Sequence, residues 1–284
     1  MLLIECFVAL VAVLVAFFWP TVGAQYFKIC ERTLASIAHK RALSVVLVGV
    51  AALVVRAVLL PILPIPKPGV PDEFAFLLAG DTFAHGRLTN QTHSMWVHLE
   101  TASIIQRPTY QTFAPPGQGM ILAVGQLLAK CPFVGIWLSA GAMCAAICWM
   151  LQAWLPSFWA LLGGLLAIVR LASLSYWVNS YFGGCGAAIG GALVLGSLLR
   201  IKRYARVRDS VILGIGVLIL AHTRPYESLF FCVPVSGALL IWMFSRNSPP
   251  KVTFSRVAVP MVLSGILIAI SVGYYFWRVL GVLG

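Results

Sequence analysis

Asp72 and Glu73 stand side by side in the run Pro71-Asp72-Glu73-Phe74, shortly after an apolar segment that ends at Ile65. They open a polar island, residues 67–119, which holds four of the eight acidic residues (Asp81 and Glu100 are the others) and three of the five histidines, His85, His93 and His98. Carboxylates at the mouth of a membrane span are expensive unless they have work to do or partners to pair with. In Trp96-Val97-His98-Leu99-Glu100, an extended backbone would turn His98 and Glu100 to one side. With Asp72 or Asp81 they would then form a set able to hold a divalent metal. Local hydrogen bonding of loop histidines is the competing expectation, and no metal site is assigned. The sequon Asn90-Gln91-Thr92 carries no functional weight.

The elements that must position these groups are set by composition. Hydrophobic residues make up 61% of the chain and charged residues 10%, with a mean hydropathy of +0.95. Soluble domains run near 45–50% apolar and about 25% charged. So few charges cannot cover such a core, and lipid must be the solvent for most of the surface. The expected fold is an all-α polytopic membrane protein, one transmembrane domain over residues 1–284, with a long external first loop (66–119) carrying juxtamembrane helices.

The net charge of +12 does not indicate nucleic acid, because of where the charges fall. Twelve of the twenty Lys and Arg residues sit in three short clusters. These are Lys28, Arg32, Lys40 and Arg41; Arg200, Lys202, Arg203, Arg206 and Arg208; and Arg246, Lys251 and Arg256. Basic clusters in short loops mark cytoplasmic loops and contact anionic lipid. The seven cysteines include no CxxC pair, and most lie in apolar runs where a free thiol behaves as a small hydrophobe. No disulfide framework and no structural zinc are expected.

At roughly 20 apolar residues per crossing, the chain divides into about eight spans. They cover residues 1–19, 44–65, 133–152, 157–175, 186–199, 210–221, 228–244 and 257–277. The first lacks a basic n-region and reads as a retained helix, although Val22-Gly23-Ala24 resembles a weak cleavage site. Residues 118–129 and 210–221 are each about 12 residues, roughly 18 Å of helix against a core of about 30 Å. The former is expected to lie at or dip into the outer surface. Gly186, Gly190, Gly191 and Gly196 allow close helix packing.

If the basic clusters are cytoplasmic, three polar motifs fall together on the opposite face: the Asp72-Glu73 island, the patch from Tyr176 to Gly184, and Thr223-Arg224-Pro225-Tyr226-Glu227. Convergence on one face suggests one site. Because 210–221 is short, Arg224 and Glu227 are expected in a protein-lined cavity, either as an ion pair locking two helices or in contact with a ligand. Arg56 and Arg170, within spans, are open to snorkelling, helix–helix hydrogen bonding or an anionic ligand.

The ordered set Asp72-Glu73-Phe74, Asp81 to Asn90, Gln106-Arg107-Pro108-Thr109-Tyr110, Ala114-Pro115-Pro116-Gly117-Gln118-Gly119, Asn179-Ser180-Tyr181 with Gly183-Gly184, and Arg224-Pro225-Tyr226-Glu227 resembles the GT-C class of membrane glycosyltransferases. That class contains the protein O-mannosyltransferases and the lipid A aminoarabinose transferase, and the likeness here is to an uncharacterised bacterial branch. It runs from near the N-terminus to about Arg278.

The resemblance implies transfer of a sugar from a polyprenyl-phosphate donor to an acceptor hydroxyl, with inversion, on the external or periplasmic face of a bacterial inner membrane. It makes Asp72 the base toward the acceptor, and a positioned carboxylate is what a hydroxyl nucleophile needs. Glu73 would orient the acceptor or share that role. Arg107 and Arg224 are candidates for the donor phosphate, since guanidinium matches phosphate oxygens bidentately. Tyr110, Asn179, Tyr181 and Glu227 are candidates for substrate contact, with interfacial anchoring the other reading of the tyrosines. No cofactor is implied, and the partners would be membrane lipid, the donor and an acceptor. Family members continue past the last span, so an end at Gly284 implies a shortened acceptor site.

Two other classes compete. A transporter or lipid-translocating protein would also line a cavity with polar motifs, but would show internal repeats, and the two halves of the chain are not self-similar. A non-catalytic remnant or assembly subunit would share every motif above.

Overall fold

Long apolar runs punctuated by proline give a chain of helices, described in a computed structural model over residues 2–18, 24–245 and 251–280. Val22 and Gly23 of the weak cleavage reading, Arg246 of the third basic cluster, and residues 281–284 lie outside the described residues. Before the island come α1 (Leu2–Phe18), α2 (Ala24–His39) and α3 (Arg41–Val58). The island contributes α4 (Pro71–Ala84), a 3-10 turn at Trp96–His98, and a small antiparallel pair, β1 (Ile104–Ile105) and β2 (Gln111–Thr112). After it come α5 (Pro116–Ala129), α6 (Pro132–Trp154), α7 (Ser157–Leu171), α8 (Gly184–Tyr204), α9 (Val207–Thr223), α10 (Pro225–Phe244) and α11 (Lys251–Leu280).

Proline sets several starts. Pro71, Pro116, Pro132 and Pro225 each stand in the first turn of a helix, where a missing N–H leaves nothing unpaired. Lys130 and Ala205, in left-handed conformations, stop α5 and α8.

Five helices among the described residues are long and apolar enough to cross a membrane: α3, α6, α8, α10 and the stretch Ser255–Val279 of α11. They correspond to five of the roughly eight spans expected. α7 is apolar but has only 15 residues, while α1 and α9 are each described over 17. The second span also ends early, at Val58 rather than Ile65, because Pro61 and Pro64 cannot continue its hydrogen-bond ladder. The basic stretch after α1 is itself helical, as α2.

α3, α6 and α7 share one apolar core through Val48, Ala52, Met143, Cys144, Cys148 and Leu161. A second joins α8, α9 and α10 through Val194, Leu213, Leu220 and Leu239. α8 and α9 pack tightly at Gly190, where a methyl would lie 2.9 Å from the Gly216 carbonyl oxygen. On the outside, α10 exposes Phe230, Ile241 and Phe244, an apolar surface suited to lipid contact.

The ends of the bundle differ in chemistry. Gln152, near the end of α6, donates to the Arg41 carbonyl at 2.9 Å. Arg200 donates to the Gly196 and Trp149 carbonyls, both at 2.8 Å, and lies over the Trp149 ring. Its charged neighbours are Asp209, Arg41 and Arg208. The first two basic clusters thus share one end, and the polar island belongs to the other.

Candidate functional site

The carboxylate pair sits in the first turn of α4, where negative charge complements the helix dipole. Neighbouring positions on a helix point in different directions, and here that separates the two acids. Glu73 is buried, 5% exposed. Its Oε2 accepts from the Gly69 N–H at 2.7 Å and its Oε1 from the Tyr181 N–H at 2.8 Å. Asp72 is exposed and accepts a short hydrogen bond from the Ser103 hydroxyl in the island.

Tyr181 is held from both sides of its backbone. Its carbonyl accepts from the buried Gln118 side chain at 2.8 Å. The first turn of α5 is consequently a hub for three motifs. Gln118 grips the 173–183 connection, and Gly119 faces Ala79 and Phe83 of α4. Gly117 faces the end of α9: a methyl there would lie 2.6 Å from Thr223 Cγ2 and 2.7 Å from the His222 carbonyl oxygen. Only glycine permits that approach.

The exposed Tyr176 reports the same convergence electrostatically. Its phenol is pushed up from the ordinary value, first by loss of solvent around it. The Ser180 hydrogen bond opposes this, Glu73 and Asp72 add to it, and Arg224 opposes it. Acids from α4 and the arginine after α9 therefore act on one hydroxyl.

The other predicted residues separate into structural and available groups. Asn179 donates to the Ser173 and Ser175 carbonyls at 3.0 and 2.9 Å, pairing backbone groups that follow the end of α7. The Tyr181 ring lies in an apolar cluster with Leu122, Phe133 and Ile136, and burial pushes its phenol up. Tyr110 pairs with Asn90 through both backbone groups, at 2.9 and 3.0 Å. Arg224 and Glu227 form an ion pair at 2.8 Å, with side chains 44% and 64% exposed. The expected cavity placement of that pair is corrected: α9 extends to Thr223, beyond the short apolar run, and carries the motif to the protein surface.

Arg107 is exposed, its guanidinium 4.2 Å from the centre of the Trp96 ring. Both border a cavity of about 500 Å³ in the island. Arg170 is exposed, whereas Arg56 is fully buried, donating to the Leu63 carbonyl at 2.9 Å beside the Phe133 ring.

Trp96–His98 is a 3-10 turn rather than a strand, so the alternation that would pair His98 with Glu100 does not arise. His85 contacts the Asp81 carbonyl, and His93 accepts from the Met95 N–H. Among the described residues, no three His, Cys, Asp or Glu side chains are grouped to hold a metal ion.

Sequence reasoning passed over Ser103 and quoted Gln118 only within a motif. A lone serine carries no signal, and glutamine in a helix's first turn reads as ordinary surface. It likewise did not anticipate an apolar cleft of about 590 Å³ bordered by Gly117, Ile121, Ile189, Leu218, Thr223 and Leu267. That cleft draws on α5, α6, α8, α9 and α11, which only the folded bundle brings together.

Fold and site together define a helical integral membrane protein with its polar motifs gathered around one helix start. No family model, no curated protein and no solved structure matches the chain.

Proposed function

We propose that this protein is a membrane glycosyltransferase of the GT-C class, moving a sugar from a polyprenyl phosphate to an acceptor hydroxyl at the external face of a bacterial inner membrane. The observation that carries the reading is the apolar cleft beginning at Gly117 and Thr223, one residue from Arg224 and on the same hub as the helix bearing Asp72. A lipid-linked donor needs such an arrangement, with its chain among apolar helices and its phosphate beside a cation.

In this mechanism the acceptor oxygen attacks the anomeric carbon from the face opposite the phosphate. The carbon–oxygen bond to phosphate breaks, configuration inverts, and the acceptor proton passes to Asp72. Arg224 stabilises the phosphate left on the polyprenol, with Arg107 the second candidate. Glu73, with both oxygens engaged by backbone N–H groups, serves as a positioning residue and leaves the base role to Asp72.

The test uses purified protein in nanodiscs with a panel of polyprenyl-phosphate sugars, wild type beside Asp72→Asn. Wild type is expected to consume donor, and the variant to bind donor without turnover. Full turnover by Asp72→Asn would overturn the mechanism. Donor-independent solute uptake by the same protein in sealed proteoliposomes would favour a transporter, and binding without turnover in both proteins a non-catalytic remnant.

A further inference from the structure

A groove of about 370 Å³ opens on the outside of the bundle, toward the end opposite the polar island. α3 packs on α6, α6 on α8 and α8 on α9. The groove lies where α3 and α9 flank the α6–α8 pair. Ala145, Ala146 and Trp149 of α6 line it with Leu193 of α8, Val45 of α3, and Ile212 and Ile215 of α9. Every one of these residues keeps accessible surface, so the groove is reached from outside. Apart from the Trp149 indole N–H, its side chains are hydrocarbon, which suits an acyl chain and excludes a polar solute.

The rim at the basic end is charged. Arg41 precedes Val45 by four residues and Arg208 precedes Ile212 by four, so each lies one turn beyond a lining residue on the same helix face. Arg200 lies against the lining itself, its guanidinium 3.8 Å from the centre of the Trp149 ring. Arg41 and Arg208 are both exposed and both act on Arg200, with Asp209 the acid among them. Asp209 is buried, and Arg208 Nε lies 3.8 Å from its carboxylate. Three guanidiniums against one carboxylate leave positive charge in excess at the end of an apolar groove.

An acyl chain joined to an anionic phosphodiester complements both parts. Guanidinium takes phosphate oxygens bidentately, and basic pockets between spans hold anionic lipid head groups. A zwitterionic lipid would bring its ammonium group among the arginines. We propose that the groove is a binding site for one anionic phospholipid, with its phosphate at Arg41 and Arg208 and an acyl chain over Ala146. α3 belongs to one apolar core and α9 to the other, so a lipid held between them ties the two halves of the bundle together. This site is independent of the transferase reading.

The experiment is native mass spectrometry of the detergent-purified protein, titrated with phosphatidylglycerol or with phosphatidylcholine of identical chains. Wild type is expected to bind one phosphatidylglycerol about ten-fold more tightly than phosphatidylcholine. Arg41→Gln and Arg208→Gln should each weaken that binding by about ten-fold, as for loss of a charged hydrogen bond. Both positions are exposed, so these changes leave the fold intact. Ala146→Leu should weaken it by filling the groove, with every charge kept. Arg203→Gln removes an exposed charge outside the triad and should bind as wild type does. Phosphatidylglycerol should also raise the unfolding midpoint of wild type, and raise that of Arg41→Gln less. Equal affinity of wild type for the two lipids overturns the inference. So does a loss in Arg203→Gln as large as in the other two arginine variants, which would mean diffuse surface attraction. Undiminished binding by Ala146→Leu would take the chain out of the groove and overturn it too. Glycerol phosphate displacing the lipid as readily as a second phospholipid does would show a bare anion site instead.

Discussion

Glu73 and Tyr181, 108 positions apart, are joined by a single hydrogen bond of 2.8 Å from the Tyr181 N–H to Glu73 Oε1. The other carboxylate oxygen takes the Gly69 N–H, and the Tyr181 carbonyl takes Gln118. One buried acid thus ties the start of α4 to the connection between α7 and α8, and through it to α5. The cost of burying a carboxylate is offset by charge-assisted bonds on both of its oxygens.

Glu73→Gln should therefore destabilise the protein, because an amide offers one oxygen to two N–H groups and turns an NH₂ toward one of them. Hydrogen bonds to charged groups contribute about 1.5–3 kcal/mol each, and loss of one should lower the unfolding temperature by several degrees. Asp72→Asn, at an exposed site, should stay within about 0.5 kcal/mol of wild type. Thermal unfolding of both variants in one detergent makes the comparison. Equal shifts would mean that Glu73 is not the clamp.

Two glycines that look alike in sequence should respond in opposite ways to alanine. At Gly135, a methyl would sit 1.9 Å from the Ile121 carbonyl oxygen, so α5 and α6 would have to separate. Overpacking of this kind costs about 1–3 kcal/mol or more. At Gly191 nothing lies within 4 Å, and alanine's higher helix propensity should leave stability unchanged or raised by up to about 1 kcal/mol. Unfolding midpoints of Gly135→Ala and Gly191→Ala decide this, and equal midpoints would refute the close α5–α6 contact.

The helical class and the run of apolar segments were legible because lipid solvation leaves a direct mark on composition. Helix ends were readable where proline stands, as at Pro132. The grouping of the three polar motifs was legible from the alternation of basic and polar connections. The internal division of the Asp72-Glu73 pair was not. Which acid is buried depends on the rotation of α4 against Tyr181, and that is fixed by Gln118 and Gly119 more than 40 positions away in the chain. The exposure of Arg224 was missed for a simpler reason: hydropathy stops α9 at Ala221, whereas the backbone continues its ladder through His222 and Thr223.

The two ends of the bundle should be chemically distinguishable from outside. Tyr181, bound to Glu73, lies just before α8, and Arg203 lies near the other end of that 21-residue helix, roughly 30 Å away. Thr101 and Arg203 are both exposed. Single cysteines at Thr101→Cys and Arg203→Cys, in a background with the native cysteines replaced, should react with an impermeant maleimide from opposite sides of a sealed vesicle. Labelling of both from one side would overturn the arrangement.

Alkaline pH should reveal the buried Tyr181 phenol. Burial raises its folded value above the unfolded one of about 10. Above pH 10 the unfolded chain gives up this proton first, so the folded state binds more protons and stability falls as pH rises. Below that range the term is flat. Tyr181→Phe should therefore show a shallower loss of unfolding temperature between about pH 9 and 11 than wild type. Parallel curves would place the phenol in solvent.

The ion pair of Arg224 and Glu227 separates stability from ligand binding. Exposed pairs contribute about 0–1 kcal/mol, so Glu227→Gln should barely move the unfolding midpoint. On the transferase reading, the same change frees a guanidinium at the edge of the apolar cleft. Binding of a polyprenyl phosphate should then be at least as tight as in wild type, and more sensitive to salt because Arg224 is left as an uncompensated charge. Arg224→Gln should weaken that binding while leaving stability within the same small range. If both substitutions weaken binding equally, the pair acts as a unit that shapes the end of α9. If neither does, the donor phosphate is held elsewhere and Arg107 becomes the residue to change.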